Sequence, residues 1–190
     1  MTSSGLLQKN YFELFGLVPG FDVEPQALEA SWKRLQAVVH PDRVAAQGLG
    51  SSRRLAVDLS TRVNDAYQTL TSPLKRAVYL LELSGHPLEA DLSSKVPLAF
   101  LEQQMAWREQ LDEAKLKGQQ AYSQAVNSLR AQLLDQSNLI CRQLAELFKA
   151  FPVGEEAAND VKQSIQSLMF LTRFEESLPQ DLSSQESLPQ

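Results

Sequence analysis

Between residues 56 and 70, Ala56, Leu59, Val63, Ala66 and Leu70 recur at alternating spacings of three and four. On an α-helix that spacing makes one stripe, whereas on a strand it would scatter the same side chains over both faces. The spacing recurs at Leu28, Trp32, Leu35 and Val39, and again at Tyr122, Val126, Leu129, Leu133, Ile140, Leu144, Leu147 and Phe151. No stretch alternates apolar and polar residues between hairpin signals. The fold class that follows is all-α. At 190 residues and 43% hydrophobic content, the chain has enough apolar material for real cores.

Breakers divide the pattern. A short helix is predicted from Tyr11 to Leu17, ahead of Pro19 and Gly20. A second starts at Pro25, whose missing N–H would have no partner in a first turn anyway, and stops at Val39 or His40, because Pro41 pushes its predecessor out of helical geometry. A third runs from an N-cap at Ser51 or Ser52 to about Thr71, antiparallel to the second. Pro73 restarts the chain, and LKRAVYLLEL makes a fourth helix that ends at Ser84-Gly85. Residues 88–96 read as a linker. Helices at 97–117, 120–151 and 155–175 follow, expected as an antiparallel three-helix bundle with turns at Gly118 and at 151–154. From Glu176 the chain is rich in Ser, Gln and Pro and contains ESLPQ twice, so 176–190 is expected to be a disordered tail. The domains expected are thus 1–87, 97–175 and the connecting and terminal segments.

With 18 basic and 23 acidic residues the net charge is −5, a poor balance for gripping a phosphate backbone, and no nucleic-acid partner is expected. The charge is uneven: residues 1–88 hold nine Lys/Arg against eight Asp/Glu, and the remainder nine against fifteen. One cysteine, Cys141, excludes an internal disulfide framework and a Cys-x-x-C zinc site. The amino-terminal residues lack the features of a secretory or mitochondrial leader, and no apolar run reaches spanning length. A soluble, cytoplasmic monomer without cofactor or metal is the expectation, with no membrane partner.

The candidate chemistry sits at His40-Pro41-Asp42, between the second and third helices. A histidine near a carboxylate invites an acid/base reading, but such a pair must converge on a pocket, and nucleophilic work needs an oriented Ser or Cys as well. The sequence has neither in a recognisable arrangement, nor a phosphate-binding glycine loop. The only other histidine, His86, lies in its own turn, so a metal site lacks ligands. An ordinary helix-ending turn remains open, as does a recognition loop.

Context favours recognition. HPD is preceded by a helix carrying Lys33 and Arg34 and followed by VNDAYQTLTSPLKRAVYLL. Here the sequence resembles the J-domain family, which has HPD between its second and third helices and an N-x-A-Y-x-x-L-x-x-P-x-x-R segment afterward. Asn64, Ala66, Tyr67, Leu70, Pro73 and Arg76 match that segment, and YFELFGL resembles the family's Tyr-x-x-Leu-Gly start with Phe15 inserted. Glycine/phenylalanine-rich linkers and cysteine repeats are absent. Instead YFELFGL, HPDR, LKRAVYLLEL and AFLEQQMAWREQLDEA resemble the HscB family, J-type co-chaperones of iron–sulfur cluster biogenesis, over about residues 10–175.

The resemblance implies that the protein performs no chemistry of its own. His40, Pro41 and Asp42 would be read by an HscA- or DnaK-type ATPase chaperone, and Lys33, Arg34 and Arg43 would complement an acidic chaperone surface. It also implies an IscU-like scaffold protein docked at Leu101, Met105, Glu109 and Phe170. The residues bear on this independently. At about 100° per residue, Phe100, Trp107, Leu111 and Ala114 share one side of their helix, and Leu98, Leu101 and Met105 share the other, beside Glu109. The aromatic side is expected to face the core, leaving the second as an apolar patch with a charged rim. The alternative is that the J-domain buries that side too. Two positions depart from the family pattern: Glu102 stands where an apolar residue is expected and Ala106 where an acidic one is. Competing functions are a J-protein for general unfolded clients and, more remotely, an enzyme using His40 and Asp42.

Overall fold

A computed structural model describes residues 8–39, 50–88 and 97–179. Among these residues the regular structure is all helical: α1 (Tyr11–Phe15), α2 (Pro25–Val39), α3 (Gly50–Thr71), α4 (Pro73–Leu83), α5 (Leu98–Leu116), α6 (Gln119–Leu147), a single 3₁₀ turn (Phe148–Ala150) and α7 (Glu155–Ser177). The expected linker falls outside the described residues except for Leu88. The third helix begins at Gly50, so the expected N-cap serines, Ser51 and Ser52, are already helical.

The chain forms two units, one of 1–87 with 144–161 and the other of 88–143 with 162–190. In the first, α2 packs on α3, and α1 and α4 pack against α3. The α3 stripe read from spacing is wholly interior: Ala56, Leu59, Val63, Ala66 and Leu70 are all buried. From α2, Leu28 and Val39 are buried, while Trp32 and Leu35 are partly exposed. α1 starts in a reciprocal cap, in which Asn10 Oδ1 accepts from the Glu13 N–H at 2.9 Å and Glu13 Oε2 accepts from the Asn10 N–H at 3.0 Å. It ends at Gly16, whose φ of 70° is the left-handed geometry that glycine adopts most cheaply.

Several residues of the segment after HPD hold this unit together. Asn64 Oδ1 accepts from Trp32 Nε1 at 3.2 Å and from Gln36 Nε2 at 2.8 Å, so one amide oxygen receives two donors from successive turns of α2. The Tyr67 ring stacks on Trp32 at 4.6 Å between centroids. Ser72 caps α4, Pro73 is its first residue, and Arg76 lies over the Phe21 ring at 4.9 Å while donating to the Leu70 carbonyl.

Tyr79 ties α4 to α1. Its ring stacks on Tyr11 at 4.5 Å, and its hydroxyl accepts from the Tyr11 N–H at 2.9 Å. Burial, which disfavours the phenolate, is the main cause that raises the Tyr79 pKa above its ordinary value; the hydrogen bond from Tyr11 opposes it. The unfolded chain therefore ionises first. The stabilisation linked to Tyr79 is whole below a pH of about 10 and is lost as pH rises through the higher folded value. Tyr79→Phe should flatten the fall in thermal midpoint above about pH 10, while costing about 1 kcal/mol at neutral pH for the lost acceptor. Melting curves of both chains across that pH range test this.

The first unit also takes in residues 144–161, which the spacing pattern alone places in the bundle. Phe148 and Val153 are buried; the Phe148 ring stacks with Phe21 at 6.1 Å, and the Val153 N–H donates to Ser84 Oγ at 3.2 Å. Periodicity identifies which face of a helix is buried, but not which neighbour buries it.

The second unit has one continuous core. Trp107 and Leu111 of α5, Val126, Leu129 and Leu133 of α6, and Leu171 and Phe174 of α7 gather in it together with Leu178. The Trp107 and Phe174 rings meet at 4.8 Å and the Phe100 and Phe170 rings at 5.0 Å. Leu178 corrects the expected tail: helix α7 continues to Ser177, Leu178 is only 4% exposed, and Arg130 donates to the Pro179 carbonyl.

Candidate functional site

Two groups of residues carry the functional reading. The first surrounds HPD. His40, Pro41, Asp42 and Arg43 lie outside the described residues, but the helix leading to them does not. Lys33 and Arg34 are both exposed on α2. Lys33 Nζ lies 2.5 Å from a carboxylate oxygen of Glu29, one turn back. That hydrogen bond, and then the charge of Glu29, raise the Lys33 pKa above its ordinary value, so the ammonium is firmly charged at neutral pH. Arg34 donates to Ser31 Oγ at 2.9 Å. Exposed pairs of this kind contribute little stability. The basic face of α2 is thus presented to solvent.

The second group is on α5. Trp107, Leu111 and Ala114 are buried and Phe100 is half-buried, whereas Leu98, Leu101 and Met105 are 70%, 42% and 71% exposed. Glu102, Arg108, Glu109 and Asp112 are exposed around them. The helix has two apolar sides, and among the described residues only one of them is used for packing. Leu116, a full eighteen residues beyond Leu98 and therefore on the same side, is exposed as well. Its spacing from Leu98 places it in the same stripe.

Phe170 does not join the exposed group. It is 4% exposed and its ring lies against Phe100 on the packed side of α5, so it backs the helix from within the unit. Expecting it at a docking surface followed from the resemblance alone; its surroundings depend on how α5 and α7 meet, which no local pattern encodes.

An antiparallel helical hairpin whose connecting segment contains HPD, together with a helical unit bearing an unpacked apolar side, defines a J-type co-chaperone. Residues 96–179 match the family model described as the HSCB C-terminal oligomerisation domain. The co-chaperone protein HscB homolog of Ralstonia nicotianae is 40% identical over 165 residues, covering 87% of this chain and 89% of that protein. The homolog of Shewanella halifaxensis is 36% identical, covering 89% and 94%. Among solved structures, the chaperone HscB from Vibrio cholerae superposes with a TM-score of 0.73 at 29% identity, covering 88% of this chain and 94% of that one. Human co-chaperone protein HscB superposes with 0.75 at 25%, covering 89% and 80%. The chain belongs to the HscB co-chaperone family.

Proposed function

We propose that the protein carries an IscU-like iron–sulfur cluster scaffold on α5 and presents it to an HscA- or DnaK-type chaperone, whose ATPase the HPD loop stimulates. The observation that carries this reading is the division of α5: one side built into a core, the other holding Leu98, Leu101 and Met105 open to solvent within a charged rim. An apolar centre with a charged border suits a partner protein, since burial supplies affinity and the rim supplies orientation. The basic side of α2 suits an acidic chaperone surface. Holding both partners on one co-chaperone raises the concentration of each near the other without any new chemistry.

Alanine at both Leu101 and Met105 should weaken scaffold binding by about 10- to 100-fold, the loss expected when one or two buried apolar side chains are truncated. Calorimetric titration with the purified scaffold reads this directly, and basal stimulation of the chaperone without scaffold should persist. Unchanged scaffold affinity would remove α5 from the reading. A protein serving general unfolded clients would instead lose affinity for reduced, unfolded polypeptides to a similar degree, so titration of such a polypeptide separates the two.

A further inference from the structure

One member of the charged rim of α5, Glu102, intrudes into the apolar patch. On a helix the side chains three and four positions away are a residue's neighbours. For Glu102 those four are Leu98, Ala99, Met105 and Ala106. All four are apolar, and all four are exposed, as Glu102 is itself. No other carboxylate of α5 is so placed: Asp112 has Arg108 and Lys115 within one turn, and Glu109 has Asp112 and Glu113 after it. The helix therefore gives Glu102 no cation to pair with.

In the free protein this costs nothing, because water solvates the carboxylate. A partner that covers Leu98, Leu101 and Met105 takes that water away. A carboxylate stripped of water without a counterion is far more costly than apolar contacts of this size are favourable, whereas one that meets a hydrogen-bonded cation is tolerated. The cation has to come from the partner. We propose that the scaffold protein seated on α5 presents a basic side chain to Glu102, and that this pair decides which apolar surfaces the helix accepts. The inference rests on the reading of α5 as the docking helix and adds the chemistry its partner must carry. An arginine suits the position: its guanidinium is weakly hydrated and grips a carboxylate through two parallel hydrogen bonds. Ala99 and Ala106, with only a methyl group each, leave room beside the carboxylate for the arginine's apolar stem. A surface of matching shape that lacks the cation would strand the carboxylate, so Glu102 rejects as well as selects.

Association and dissociation rates of the purified scaffold protein on four full-length chains test this: the native sequence, Glu102→Gln, Glu102→Leu, and Leu101→Ala with Met105→Ala. All side chains changed are exposed, so the fold is kept, and far-UV spectra check it. Glu102→Gln should raise the dissociation rate about 10-fold or more and change the association rate by less than about threefold, the signature of a covered pair. Glu102→Leu should also dissociate faster, although it enlarges the apolar patch. An unchanged dissociation rate in Glu102→Gln, a slowed association alone, or tighter binding by Glu102→Leu would overturn the proposal. If the Leu101/Met105 double variant still loses affinity in that case, α5 remains the docking helix and only the pair is wrong. Native affinity in the double variant would remove the docking reading and this proposal with it.

Discussion

Asparagine in place of Asp42 is expected to abolish stimulation of the chaperone ATPase while leaving helical content and thermal midpoint unchanged. The substitution keeps the size of the side chain and removes its charge. If Asp42 meets a cation in the chaperone interface, the variant leaves that cation without its partner, a loss of about 2–5 kcal/mol for a buried pair. At about 1.4 kcal/mol per tenfold, coupling falls by a factor of about 30 or more. Among the described residues, Trp32, Gln36, Asn64 and Tyr67 make side-chain contacts that join α2 to α3, all from within the helices. Steady-state ATPase assays beside far-UV spectra distinguish the outcomes. His40→Gln should behave alike, and full stimulation by both variants would end the co-chaperone reading of the loop.

The second large effect concerns stability. Trp107→Ala should destabilise the protein by about 3–5 kcal/mol, the usual loss for truncating a buried aromatic. Trp107 is 6% exposed, lies in the core of the second unit and packs against Phe174 at 4.8 Å. Met105, two residues earlier on the same helix, is 71% exposed, and Met105→Ala should change stability by no more than about 0.5 kcal/mol. Urea unfolding of the two variants compares the two sides of one helix under identical conditions. Similar losses for both would mean that α5 does not divide as described.

That division was legible in the sequence because α5 shows apolar residues on two opposed sides, and the aromatic one supplies more area to bury. The α3 stripe was legible for a similar reason, its spacing leaving a single interior face. The HPD loop was legible as a motif, through the matching residues on either side of it. Phe170, Leu178 and the stretch from Leu144 to Val161 were not. Each is settled by which distant element lies alongside, and a single buried leucine among serine, glutamine and proline leaves no periodic trace.

The one side-chain oxygen of Asn64 takes donors from Trp32 and Gln36 together. Sliding α2 along α3 by a single residue would strand both donors at once, at a cost of about 1 kcal/mol each. The amide acts as a register key, and the hairpin has one alignment. Val39 and Gly50, the described residues on either side of the HPD segment, are therefore the ends of two helices that this one amide holds in step.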